Sequence, residues 1–163
     1  MNIYFDTSAM IKLYYPEPES EKLSKWIGEN RIVIPVSLFH SLEIHNAFAL
    51  KVFRGEITDQ QYEKLRECLA ADRISGIIKE LSADWNQVFQ KAAETARSHT
   101  PGLGNRSPDI LHIALAIETG YKKIITFDIR QSELAIANGL EVITLQNMQS
   151  KQNGPDIHAT DIV

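Results

Sequence analysis

The chain has 163 residues, 44% hydrophobic and 23% charged, which fits one domain large enough to bury a substantial core. A net charge of -4 argues against a protein that grips nucleic acid through overall charge, although a local basic rim around an acidic site is compatible with it. The single cysteine, Cys68, rules out an internal disulfide and a thiolate metal cluster. With no basic-then-apolar leader and no run near the roughly 18 apolar residues of a membrane span, the expectation is a cytoplasmic protein in a reducing compartment.

Residues 2–5 predict a short buried strand, after which Thr7 or Ser8 caps a helix carrying Met10, Ile11, Leu13 and Tyr14 until Pro16 stops it. Pro18 opens a second helix with Leu23, Trp26 and Ile27 inward and Gly28 as its stop signal. Ile32, Val33 and Ile34 form the second strand. From Ser37 to about Phe53 the spacing predicts a long helix with Leu38, Leu42, His45, Ala49 and Val52 on one stripe, ending near Gly55. Thr58 and Gln61 have capping-box spacing for a helix with Tyr62, Leu65 and Leu69 inward. Residues 74–81 contain a third strand, Ser82 caps a helix carrying Trp85, Val88, Phe89, Ala92 and Ala96, and 100–107 reads as a turn-rich loop. Ser107 and Pro108 look like the N-cap and first residue of an apolar helix that Gly120 ends. Strand 123–127, a short helix near 130–138 and strand 141–144 follow. Strands alternating with helices predict a three-layer α/β/α domain over residues 1–145, with a central, mainly parallel, twisted sheet of four to five strands. Residues 146–163 are polar and without period, and read as a flexible tail in which Asp156, His158 and Asp161 are solvated.

Four acids fall where that architecture delivers them to one sheet edge. Asp6 follows the apolar run Ile3-Tyr4-Phe5, and Asp128 follows Ile124-Ile125-Thr126-Phe127, so each stands where a buried strand ends. Asp109 lies in the first turn of its helix and Glu43 in the second turn of another. In a βαβ fold helices begin where strands finish, so all four carboxylates point at the crevice beyond the strand carboxyl ends. Singly, Asp6 reads as a cap, Asp109 as a dipole partner and Asp128 as a turn opener, whereas Glu43 shares a stripe with Phe39, Ala47 and Leu50, where an unpaired carboxylate is costly. Together they repel, and one would take up a proton unless positive charge arrived. Mg2+ or Mn2+ is the simplest neutraliser, because these hard cations prefer carboxylate and water oxygens. Such an ion polarises a phosphoryl oxygen and lowers the pKa of bound water, which points to phosphodiester hydrolysis.

With these motifs in order, the chain resembles PIN-domain ribonucleases, most closely the VapC-type toxins of bacterial and archaeal toxin–antitoxin pairs. The resemblance is carried by Ile3-Tyr4-Phe5-Asp6-Thr7-Ser8-Ala9, Ser41-Leu42-Glu43-Ile44, Pro108-Asp109-Ile110-Leu111-His112-Ile113-Ala114 and Ile125-Thr126-Phe127-Asp128, across about residues 1–145. It implies a PIN-like fold and a Mg2+- or Mn2+-dependent endoribonuclease, usually homodimeric and silenced by an antitoxin protein. It also implies Asp6 and Asp109 as chief metal ligands, with Glu43 and Asp128 completing the pocket and orienting a nucleophilic water. Ser8 and Thr126 match hydroxyl positions that support the acids. His112, at i+3 from Asp109, is placed to bond a carboxylate or phosphate, and Lys12 and Arg106 stand as a substrate rim. Tyr14, Tyr15, Phe48 and Phe53 are candidates for an apolar groove facing an antitoxin helix or second subunit.

Three other readings compete. A haloacid-dehalogenase-like phosphatase wants a second aspartate two positions after the first, where Ser8 stands. A receiver domain wants paired acids after its first strand and a lysine after its last. A PIN scaffold kept only to bind RNA or protein is the non-enzymatic alternative, and four intact acids speak against it.

Overall fold

The alternation of apolar strands and helices builds a layer of parallel strands covered on both faces. In the computed structural model, which describes residues 2–146 and Met148, the strands are β1 (Tyr4–Phe5), β2 (Ile34–Val36), β3 (Ile78–Glu80), β4 (Lys123–Ile125) and β5 (Glu141–Val142). The helices are α1 (Thr7–Tyr14), α2 (Ser20–Glu29), α3 (Leu38–Phe53), α4 (Asp59–Ile74), α5 (Trp85–Leu103), α6 (Ser107–Glu118) and α7 (Ile129–Ala137). β1 pairs in parallel with β4, Tyr4 opposite Ile124 and Phe5 opposite Ile125; β4 pairs with β5 and β2 with β3, also in parallel. The hydrogen-bonded ladders form two parallel sheets, β1-β4-β5 and β2-β3, and because β1 lies beside β2 the strands follow one another as β3-β2-β1-β4-β5 across the molecule. The chain works outward from β1 to β3 and then returns to the far side of β1. Strand order therefore reverses between β1 and β4, and a crevice opens there beyond the strand carboxyl ends.

Alternation of side chains along the strands divides the interior into two cores. Ile3, Phe5 and Ile125 face one, with Met10, Leu13, Leu23, Trp26, Ile44, Phe48, Leu65 and Leu69 from α1 to α4. Tyr4 and Ile124 face the other, with Val88, Ala92, Ile110, Ile113, Leu115 and Leu134 from α5 to α7. This is the expected three-layer α/β/α arrangement, and a fully buried ring such as Phe5 contributes about 3 kcal/mol of transfer free energy to it.

Several boundaries differ from the sequence pattern. The second strand sits at 34–36, not 32–34, and includes Pro35. The Ile34 N–H bonds the Ile77 carbonyl at 2.8 Å and the Val36 carbonyl accepts from Leu81 at 3.0 Å, so Pro35 turns its missing N–H toward β1 and costs no bond to β3. Asp84, not Ser82, caps α5, taking the Asn86 and Gln87 amides, and α5 runs through Pro101 to Leu103 where a loop was expected. Arg106, not Ser107, holds the N-cap position of α6. The buried face of α3 is His40, Ile44 and Phe48; Leu38 and Leu42 of the expected stripe are 74% and 68% exposed. Met148 packs against the first core, and the rest of the expected tail, Asn147 and 149–163, lies outside the described residues.

His40 joins two of these elements. Its Nε2–H donates to the Phe5 carbonyl at 2.8 Å, while Nδ1 accepts the Ser37 amide at 3.2 Å, so the start of α3 is bolted to the end of β1. Burial, assisted by the nearby charge of His112, lowers its pKa from 6.5 to about 3 despite the Phe5 bond and Glu43. The unfolded chain therefore binds this proton first. The stabilisation is complete above about pH 6.5 and is lost as pH falls toward about 3. Urea unfolding measured between about pH 7 and 5 should show stability dropping with pH in the parent and a shallower drop in His40→Gln. Equal slopes would contradict the assignment.

Candidate active site

Asp6 ends β1 and caps α1, so its carboxylate is fixed by the backbone it serves. It is 1% exposed, and its Oδ1 accepts from the Ala9 amide at 2.9 Å and the Ser8 hydroxyl at 2.7 Å. Ser8 Oγ in turn accepts the Phe127 amide at 2.9 Å, which ties the α1 start to the segment after β4. There Thr126 accepts the Asp128 amide at 3.1 Å, and Asp128 caps α7 through Oδ1, taking the Arg130 and Gln131 amides at 2.8 and 3.1 Å. One hydroxyl thus couples the ends of the two strands that flank the switch point.

Glu43 reaches the same edge from α3. Its Oε2 accepts the Thr7 hydroxyl at 2.6 Å and lies 2.6 Å from His112 Nε2. His112 Nδ1 is 2.7 Å from the Tyr4 hydroxyl. Burial pushes the Glu43 carboxyl up, but the bonds and charge of His112 and the Thr7 bond outweigh it and hold the carboxyl below its ordinary value. Tyr4, fully buried beside Asp6 and Glu43, is raised well above 10 and keeps its proton.

Asp109 sits one turn before His112 on α6. Its Oδ2 takes the Arg106 amide at 3.0 Å and lies 3.6 Å from the Arg106 Nε, on a side chain 74% exposed. Asn105 donates to the Arg130 carbonyl at 3.1 Å, so the loop before α6 rests on the first turn of α7, near Asp128. Ser8, Lys12, Glu17, Phe127 and Asp128 line an adjoining open cleft of about 360 Å³. Lys12 is not a free cation in it: its ammonium donates to the Pro18 carbonyl at 2.8 Å and lies within 3.6 Å of Glu17 and Glu19.

A family model described as PIN domain matches residues 3–137, nearly the whole described fold. The chain belongs to the PIN domain family. Among solved structures, the crystal structure of FitAcB from Neisseria gonorrhoeae superimposes with a TM-score of 0.57 at 17% identity, covering 89% of this chain and 99% of that one. No curated protein matches the chain.

In this PIN domain the protein's own hydrogen bonds fall on one oxygen each of Glu43 (Oε2), Asp109 (Oδ2) and Asp128 (Oδ1), leaving the other without a protein donor among the described residues. The ion pairs that reach the four acids there are Arg106 with Asp109 and His112 with Glu43. Burial raises the Asp6 pKa, opposed by the charge of His112, the Thr126 hydroxyl, the Ala9 amide and the Ser8 hydroxyl. A buried acid so disposed accommodates a nearby cation. Among the described residues no three His, Cys, Asp or Glu side chains stand close enough to cage a metal together. The donor set fits a hard divalent ion held by one or two carboxylates and water, the usual manner of Mg2+, and not an all-protein cage.

Tyr4, Thr7 and His40 were not singled out as site residues from the sequence. Thr7 stands inside the acidic turn motif, and His40 is at N3 after Ser37, where a capping box usually carries Glu or Gln. Tyr4 gave no signal, since an aromatic in a buried strand reads as core.

Proposed function

We propose that this PIN domain is a metal-dependent endoribonuclease that hydrolyses RNA phosphodiester bonds and serves as the toxin of a toxin–antitoxin pair. The observation that carries the reading is Asp6: a carboxylate 1% exposed, at the end of a central strand, with no lysine or arginine paired to it among the described residues. Asp6 and Asp109 are the chief ligands for Mg2+ or Mn2+, with Glu43 and Asp128 completing the pocket. When bound, such an ion supplies polarisation of a phosphoryl oxygen and acidification of a water. The chain's own groups do the rest. Thr7 and His112 aim Glu43 through Oε2, so that its other oxygen, Oε1, helps complete the pocket and orient the attacking water. Ser8 and Thr126 hold Asp6 and the Asp128 segment in register. Arg106, exposed beside Asp109, receives a flanking phosphate of a single strand laid across the edge. Lys12 acts at the rim only by ordering the loop of Glu17 and Glu19.

The partners belong to the apolar surface. Of the aromatics considered for a groove, Tyr14 and Phe48 are buried, the Tyr14 hydroxyl donating to Asp72 at 2.5 Å. Phe53 is 87% exposed and shares α3 with the exposed Leu38 and Leu42. These three support a homodimer or antitoxin contact on α3. Among the described residues no helix is long and apolar enough to cross a membrane.

Purified protein incubated with structured and unstructured RNAs should cut single-stranded regions with Mg2+ or Mn2+ and stop with chelator. Asp6→Asn should reduce cleavage by at least about a hundredfold while leaving the thermal transition in place. Cleavage by Asp6→Asn at the parental rate would sink the mechanism. Phe53→Glu should lower the mass seen by light scattering or abolish antitoxin binding; no change in either removes α3 as the contact.

A further inference from the structure

We propose that Tyr4 and His112 are positioning residues that fix the orientation of Glu43 and so present its Oε1 to the cleft. The proposal rests on the nuclease reading above and assigns work to side chains that never meet the substrate: Tyr4 is completely buried and His112 nearly so.

Glu43 is ionised and can only accept, so the proton shared at 2.6 Å is carried by His112 Nε2. In the neutral ring Nδ1 is then the acceptor, and its partner at 2.7 Å is the Tyr4 hydroxyl, which donates. Among the described residues that hydroxyl bonds nothing else. A phenylalanine would fill the same space in the second core, so the oxygen of Tyr4 has one physical use, which is to select the Nε2–H tautomer. The ring is also locked in place. Phe39 lies 4.8 Å from it, His40 5.0 Å and Tyr4 5.7 Å between centroids. Thr7 adds a second donor on Glu43 Oε2 at 2.6 Å and lies 3.1 Å from His112 Nε2. Both donors therefore hold the same oxygen, and the flexible glutamate is left with one oxygen, Oε1, that no protein donor holds among the described residues. Because His112 is on α6 one turn after Asp109, the ring also sets the position of α3 relative to the helix that carries the third acid.

The test begins with Tyr4→Phe, with folding checked by circular dichroism. In metal-free protein at a pH of about 8, long-range proton–nitrogen correlation NMR should show His112 wholly as the Nε2–H tautomer in the parent and as a mixture in the variant. Mn2+ affinity by calorimetry should fall about 10-fold or more, the usual scale for removing a group that orients a metal ligand. For RNA cleavage kcat should fall while KM holds, since neither side chain touches RNA. In a His112→Gln background, whose amide can still donate to Glu43, adding Tyr4→Phe should change Mn2+ affinity by less than about twofold. Should Tyr4→Phe not fold, His112→Gln against His112→Leu replaces it, with the leucine variant binding Mn2+ at least about 10-fold more weakly. Unchanged tautomer and Mn2+ affinity in Tyr4→Phe, or an equal loss in the His112→Gln background, would overturn the proposal. The tautomer and Mn2+ readouts need no RNA. A parent that binds Mn2+ but cuts no RNA thus refutes the nuclease reading alone, and these two readouts still decide the positioning role.

Discussion

A carboxylate desolvated at the end of a central strand is the constraint on which the rest of this molecule depends. Burial alone drives Asp6 toward its neutral form, and the surroundings work against that. The Ala9 amide and the first turn of α1 supply a partial positive charge, and the Ser8 hydroxyl supplies a second donor. Because Ser8 also accepts from Phe127, a group that opposes protonation of Asp6 is one that locks β1 to the chain leaving β4. Leaving that pair of bonds unmade would cost about 1–3 kcal/mol for each orphaned polar group, a large share of the net stability of a domain this size. Charge retention and strand-end geometry are in this sense one feature.

Around it the structure uses imidazoles as brackets. His40 fastens α3 to the Phe5 carbonyl, the residue before Asp6, and His112 fastens α3 to α6 through Glu43. The two rings pack edge to face at 5.0 Å, with Tyr4 against both. The layer beneath the acidic edge is thus a small aromatic and imidazole stack whose polar atoms are satisfied pairwise. Such a stack sets the spacing of the three elements that deliver Asp6, Glu43 and Asp109 more tightly than aliphatic packing would, since each ring is held by directional bonds as well as by contact.

Much of this was legible in the chain. An apolar run followed by an aspartate marks the place where a strand gives way to a helix: Asp6 directly follows β1 and caps α1, Asp128 stands three residues past β4 and caps α7, and Thr58 with Gln61 forms the capping box its spacing indicates. Periodicity misled where several faces were apolar. The stripe through Leu38 and Leu42 is as regular as the one through His40, Ile44 and Phe48, and only the tertiary bond from His40 to Phe5 shows which turns inward. Local signals also could not pair Tyr4 with His112, 108 positions apart, because a tyrosine and a histidine each have an ordinary explanation in a core. Pro35 shifted the bounds of the second strand, read at 32–34 and found at 34–36, because a residue that breaks most strands is harmless where its missing donor faces away from the ladder.

The chemistry inferred for the edge requires that its negative charge be met by a divalent ion, with protein donors on one oxygen each of Glu43, Asp109 and Asp128 and none on the other among the described residues. Anomalous difference density from a crystal soaked in Mn2+ tests this most directly. The account predicts one strong peak in contact with the Asp6 carboxylate and with at least one of Glu43, Asp109 and Asp128. A soaked crystal with no peak at that edge, or with Mn2+ bound only elsewhere, would contradict it.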